Sequence, residues 1–312
     1  MAGAKIKVKF KPGQPKSKPD QWQGVSNTAH FTAAVWEKAG VPGAAHFVTR
    51  KGHLLYALAK YGGAICGFYG KYGVARLFLI PRYLGIEAVL AQHNPTQIIE
   101  LAAGLAPRGS QWVQTHRGSY IEIDQARVIA LKQKILAPLL AQLPPDVSYR
   151  LIAANILEDE LKAKIQSSAQ PLESGLKPDF STLSPQFSTL IICEGMTGYL
   201  DEPTLGRLLA QIRELAASFQ DCTILLDLYL KPNIEQHRRL ALVMRPLELF
   251  LRFIKAPARL FLRDAEHIRN LLEAAGFEMQ YLYPAHELTA LAHLAPPPFD
   301  IFYLAQLKVS SK

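Results

Sequence analysis

The stretch from Thr96 to Arg108, TQIIELAAGLAPR, runs an apolar strand, Gln97 to Leu101, straight into the small or apolar residues Ala102 to Leu105. Small residues at a strand end let a ligand lie against the backbone, which is the crevice position of an open α/β sheet. Asp124 follows 20 residues after Gly104, at the end of the next strand-like run. An acid at that distance is where the ribose hydroxyls of a nucleotide are held in such a sheet. The competing reading makes Asp124 a cap for the helix that follows it. A third run ends at Asn155 and Ile156, whose amide and backbone N–H can read an adenine edge. A fourth ends in Glu194, with Gly195 and Gly198 close behind. That sets an ionisable group where backbone and ligand approach closely, unless Glu194 is a loop carboxylate facing water.

The elements that position these residues are read from periodicity. Short apolar runs alternate with amphipathic stretches from residue 96 onward, the pattern of a parallel sheet covered on both faces. Strands are expected at Gln97 to Leu101, Gly118 to Ile123, Ser148 to Ala153, Thr189 to Cys193, Cys222 to Leu228, Phe277 to Tyr283 and Phe299 to Gln306. Helices are expected at Gln125 to Leu143, Leu157 to Ala163, Pro203 to Phe219 and Arg263 to Gly276. The last two strands are expected to be joined only by a loop holding Pro296 to Pro298, in a hairpin-like antiparallel pairing. Before residue 96 the spacing predicts helices over Thr28 to Gly40, His53 to Cys66 and Tyr72 to Gln92, with Pro81 placing Arg82 at a helix start. Three regions follow: a basic leader 1–20, a helical cap 21–95, and a sheet domain 96–312 with an insertion at 231–262. Gln166 to Ser184, rich in Ser and Pro, reads as a surface loop.

Composition sets bounds. At 312 residues and 49% apolar, the chain can bury a core, and its formal charge of +9 comes largely from six lysines that precede Asp20. Such an arm reads as solvated rather than as a nucleic-acid element, since only Phe10 could stack on a base. The three cysteines, Cys66, Cys193 and Cys222, are too scattered for a disulfide framework or a metal knuckle, so no metal is expected. No apolar run approaches the ~18 residues of a membrane span, and a cytoplasmic location is expected. The insertion carries seven Lys or Arg against Glu235 and Glu248, so it reads either as a lid or as a solvated helical pair.

The succession IIELAAGLAPR, YIEIDQARVIALKQKIL, LIICEGMTGYLDEPTLGRLLAQI and LLEAAGFEMQYLYP resembles the leucine carboxyl methyltransferase family, which includes polyketide-type O-methyltransferases, over roughly Phe78 to Leu307. The resemblance implies a class I methyltransferase fold, Rossmann-like, with a seven-stranded, mostly parallel sheet whose last strand is antiparallel. It also implies S-adenosylmethionine as cofactor. By the same resemblance Glu100 and the Ala102 to Gly104 turn hold the methionine portion, and Arg82 pairs with its carboxylate. Asp124 holds the ribose, Asn155 and Ile156 face the adenine, Glu194 approaches the amino end, and Arg108 matches the family's arginine after the turn. The chain departs from the usual ELGAGLDTR at Ala102, Ala106 and Pro107, and Asn155 replaces an aspartate. A methyl at Ala102 is expected to require a negative φ there.

The expected reaction is attack by an oxygen nucleophile on the sulfonium methyl, with the protein positioning the reactants. A carboxylate acceptor needs no base, whereas a hydroxyl benefits from one, and His30 and Tyr199 are the candidates for acceptor contact or proton transfer. The aromatic cap residues Phe31, Trp36, Tyr56, Phe68 and Tyr69 point to a small hydrophobic molecule or an acyl chain, and the basic insertion suits an acidic or carrier-bound one. Two alternatives stand beside this. One is methylation of a protein C-terminal carboxylate, and the other is a noncatalytic basic protein resting on nucleic acid or an anionic membrane surface.

Overall fold

The computed structural model describes residues 23–65, 78–157, 160–167, 186–231, 248–297 and 300–310. The basic leader, Cys66, Phe68 and Tyr69, nearly all of the Ser/Pro-rich stretch and half of the insertion lie outside them. Three helices precede the sheet: α1 (Gln23–Lys38), α2 (Arg50–Ile65) and α3 (Ile80–Leu90), with Pro81 in the first turn of α3, where its missing N–H costs nothing. The strands are β1 (Gln97–Leu101), β2 (Gly118–Asp124), β3 (Val147–Ala153), β4 (Ser188–Cys193), β5 (Asp221–Tyr229), β6 (Phe277–Pro284) and β7 (Phe302–Val309). Between them run α4 (Arg108–Thr115), α5 (Ala126–Leu140), α6 (Leu161–Ser167), α7 (Glu202–Ala216), α8 (Ala265–Ala274) and α9 (Ala285–Leu291).

The sheet order is β3-β2-β1-β4-β5-β7-β6, with β1 to β5 parallel neighbours and β7 antiparallel to both β5 and β6. This is the class I methyltransferase fold. The chain moves outward from β1 to β3, then returns to place β4 on the other side of β1. That reversal makes the carboxyl ends of β1 and β4 the crevice of the sheet. Register brings the ends level, since Leu101 pairs with both Ile123 and Cys193, and Asp124 pairs with Ala153.

Strand alternation sends odd and even residues of β1 to opposite faces. Ile99 and Leu101 join Ile121 and Ile123 in a core closed by Leu205, Leu208 and Ile212 of α7 and Leu272 of α8. Ile98 joins Tyr120, Leu190 and Ile192 in a second core under α3, α4, α5 and α9. On this second face Glu100 and Glu122 stand side by side, both buried. A buried carboxylate persists only if it is paired. Arg108 of α4 reaches Glu100 at 2.6 Å, and Lys132 of α5 reaches Glu122 at 2.5 Å. Tyr120 and Tyr149 donate to the same two carboxylates at 2.6 and 2.7 Å.

Three helices differ from expectation, α6 running over Leu161–Ser167 rather than Leu157 to Ala163. Helix α4, RGSQWVQT, is polar apart from Trp112 and Val113, too short and too hydrophilic to show a 3.6-residue apolar stripe. Helix α9 lies between β6 and β7, so they are not joined by a simple loop, although they do pair antiparallel. Its Leu288 packs directly over Gly85 of α3, where any side chain would collide with it. Strand β7 starts at Phe302 and ends at Val309, three residues beyond the expected end.

Candidate active site

The turn after β1 is held in a conformation that glycine usually supplies. Ala102 has φ 55° and Gly104 φ 54°. The expectation of a negative φ at Ala102 is therefore overturned: the chain keeps the left-handed turn and accepts the strain of a Cβ there, about 1–2 kcal/mol. What fixes the turn is Asp124, whose Oδ2 accepts the Gly104 N–H at 2.7 Å and whose Oδ1 accepts the Gln125 N–H at 2.6 Å. The cap position of α5 belongs to Gln125, so Asp124 ties two strand ends together rather than capping the helix. Burial pushes its carboxyl up, against the pull of those two N–H groups.

Beyond β4, Glu194 is buried rather than facing water. Burial alone would raise its pKa, yet Arg108 and Arg82 hold it below the ordinary carboxylate range. Arg82 Nε donates to Glu194 Oε1 at 2.8 Å, and Arg108 Nη2 donates to Oε2 at 2.8 Å. Arg82 also donates to the Tyr229 hydroxyl and lies 3.7 Å from Asp227. Burial opposes the Arg82 charge, but Tyr229, Glu194 and Asp227 outweigh it and raise the guanidinium pKa further. Asp227 accepts the Gly195 N–H at 2.9 Å. Gly195, at φ 73°, passes so close to Arg82 that a Cβ would sit 2.9 Å from its guanidinium.

These groups line a cavity of about 90 Å³ at the carboxyl ends of β1, β2, β3 and β4. Arg82, Glu100, Ala102, Gly104, Asp124, Asn155, Ile156 and Glu194 all border it. Asn155 Oδ1 accepts the Leu157 N–H at 3.2 Å, which turns the chain after β3. Helix α1 forms the opposite wall through Val25 and Ala29, and Ser26 donates to Gln125 at 2.8 Å. A second cavity of about 270 Å³ adjoins the first, sharing Thr28, Thr32, Arg82 and Gly195. Its walls are mainly apolar, with Phe31, Phe78, Phe250 and Leu260, and Tyr199 and Tyr229 supply phenols.

His30 borders neither cavity. Its Nδ1 lies 2.8 Å from Thr49 Oγ1, and burial, with Lys51 nearby, lowers its pKa and keeps the imidazole neutral. Tyr199 does border the second cavity, with its phenol pKa raised by burial. Sequence reasoning did not find Asp227 or Tyr229 at the end of β5. An acid in the apolar run ILLDLY was the available signal, because an uncompensated carboxylate would not be buried there. No group of three metal-ligating side chains occurs among the described residues.

Residues 71–213 match the family model for leucine carboxyl methyltransferase. No curated protein matches the chain. Among solved structures it is similar to the pyocyanin biosynthetic protein PhzM, at 15% identity and a TM-score of 0.46, over 93% of this chain and 71% of that one. It is also similar to magnesium protoporphyrin IX methyltransferase from Synechocystis PCC 6803 with bound SAH, at 11% identity and a TM-score of 0.45, over 83% and 99%. A third is the 1,6-didemethyltoxoflavin-N1-methyltransferase of Burkholderia thailandensis, at 13% identity and a TM-score of 0.43, over 82% and 89%. Likenesses at this level leave the fold to be argued from the chain's own strand order. The segment from residue 71 to residue 213, which matches the leucine carboxyl methyltransferase model, holds all eight residues named above on the first cavity and lies within a class I methyltransferase fold.

Proposed function

We propose that this chain is an S-adenosylmethionine-dependent methyltransferase that methylates an oxygen of a small hydrophobic acceptor, a carboxylate or a hydroxyl. One observation carries the reading: the first cavity is lined by a buried, oppositely charged pair, Arg82 and Glu194, together with the Asp124-closed turn and the Asn155 end of β3. An amino-acid zwitterion has the same two charges. Its carboxylate would face Arg82, whose planar guanidinium suits a bidentate contact, and its ammonium would face Glu194, kept ionised by two arginines.

The other residues fit the remainder of the cofactor. The left-handed turn at Ala102 to Gly104 leaves backbone exposed to a ligand, Asp124 lies where ribose hydroxyls would come, and Asn155 with Ile156 lies where a base would come. When bound, S-adenosylmethionine supplies an electrophilic methyl on sulfur. The chain's own work is positioning. Arg108 holds Glu100 and Glu194 at fixed distances, and the apolar second cavity excludes water around the acceptor. Tyr199 and Tyr229 are placed to hold an acceptor oxygen by hydrogen bonds, while His30, tied to Thr49, is not.

The test is thermal. S-adenosylhomocysteine is expected to raise Tm through linkage of binding to folding. Asp124→Ala is expected to remove most of that shift while leaving the protein folded, since charge-assisted contacts of this kind contribute about 1.5–3 kcal/mol. No shift at millimolar ligand would sink the proposal.

A further inference from the structure

Helix α2 carries an exposed apolar stripe. Leu54 is 60% exposed, Leu58 46% and Tyr61 68%, and they recur at i, i+4 and i+7 on one face, about a quarter-turn round from buried Leu55. Beside α2 lies the helical stretch 248–253, packed against it through the cluster of Leu55, Ile254 and Ala256. This stretch exposes Leu249 at 67% and Phe253 at 68%. Large apolar side chains scattered singly on a surface need no explanation, but five on two adjoining helices do.

The charged side chains of the two elements are mostly basic. By helical periodicity Lys51 borders the α2 stripe beside Leu58, Lys60 and Arg50 are on the same helix, and Arg252 and Lys255 lie on the neighbouring element, all exposed. Against these five cations the two elements carry one carboxylate, Glu248. Apolar side chains bordered by Lys and Arg are what a helix lying in the plane of an anionic bilayer presents, the chains entering the acyl boundary and the cations meeting lipid phosphates. The same stretch that turns Leu249 and Phe253 outward turns Phe250 and Leu251 into the wall of the second cavity.

We infer that α2 and residues 248–255 form a docking surface for an anionic lipid bilayer, the latter stretch also walling the second cavity. Docking stands without the methyl-transfer proposal. Only its corollary, that the acceptor is a lipophilic molecule taken from the bilayer, rests on that reading.

Cosedimentation of the full 312-residue chain with vesicles of phosphatidylglycerol and phosphatidylcholine, against phosphatidylcholine alone, tests it. Binding is expected to the anionic vesicles and to weaken with added salt. The triple variant L54S/L58S/F253S is expected to bind at least about tenfold more weakly, at an unchanged urea midpoint, because each inserted side chain contributes burial energy. None of the three borders either cavity, so the cofactor-induced Tm shift should persist in the variant. Absence of anionic-vesicle binding would overturn the inference. So would equal binding by the variant, which would assign attachment to the lysines of residues 5–18. A wild-type dimer that the variant makes monomeric, with no vesicle binding by either, would show a self-association face instead. A missing Tm shift with intact vesicle binding would remove the enzyme reading and leave the docking surface in place.

Discussion

At the scale of single residues, Ala102 is the most informative departure. Its φ of 55° shows that the turn after β1 is set by what surrounds it, chiefly Asp124 on the Gly104 N–H, and not by the residue's own preference. The strain is recoverable. Ala102→Gly relieves about 1–2 kcal/mol of left-handed strain and gives back about 0.4–1 kcal/mol of unfolded-state entropy. The variant should therefore be more stable by about 0.5–1 kcal/mol, read as a higher urea midpoint at constant m. A lower midpoint would mean that the methyl makes packing contacts worth more than the strain. The sequence singled out this turn and Asp124 because small residues after a buried strand and an acid one strand later are local signals, but it read Asp124 as a ribose contact or a helix cap and not as the acceptor of the Gly104 N–H. It misjudged the backbone of Ala102, because a dihedral held by an acid 20 positions beyond Gly104 has no local signature.

At the scale of elements, the exchange behaviour of α1 tests whether it gates the first cavity. The helix walls the first cavity, and it is fastened at Ser26 to Gln125, at Asn27 to the Ile254 carbonyl, and at Gly24, where the Lys255 carbonyl comes so close that a Cβ would lie 1.6 Å from it. Gly24→Ala must therefore push the start of α1 away from residues 254–256. Expected are a loss of about 1–3 kcal/mol in stability, as for other overpacked sites, and faster amide exchange over residues 23–38. S-adenosylhomocysteine should slow exchange over the same residues in the wild type. Unchanged exchange in both experiments would remove α1 from the gating role. The sequence displayed α1 as a helix but showed nothing of this contact, which joins residues more than 200 positions apart. Helices α4 and α9 were missed for a related reason: one is eight residues and polar, the other seven, and each owes its place to packing on β2 or α3 rather than to its own pattern.

At the scale of the whole molecule, the crevice is built on buried charge, and this gives stability a pH dependence with a definite sign. Burial pushes Asp227 from 3.8 to about 6, with Arg82 only partly offsetting it. A carboxyl whose folded pKa is raised contributes stability that is present below its unfolded value and lost as pH rises through the folded one. Asp227→Asn keeps an acceptor for the Gly195 N–H and carries no charge. The variant and the wild type should have similar stability near pH 3.8, and the variant should gain above about pH 6, by on the order of 3 kcal/mol, in urea unfolding across that range. A variant less stable at every pH would show that the charge of Asp227 is needed by Arg82 more than burial penalises it. Glu122, pushed up to about 7 by burial against the pull of Lys132, acts in the same direction and is common to both proteins. What the sequence determined by itself was the alternation of strands and helices, the strand ends, and the polar residues standing at them, because periodicity, capping and turn chemistry act over a few residues. Only the tertiary structure decided that Arg82 pairs with Glu194 and Asp227, that Arg108 joins three carboxylates, and that α1 and residues 248–251 help to wall the second cavity. Those arrangements depend on burial, and whether a charge is buried is settled by elements that meet in space from distant parts of the chain.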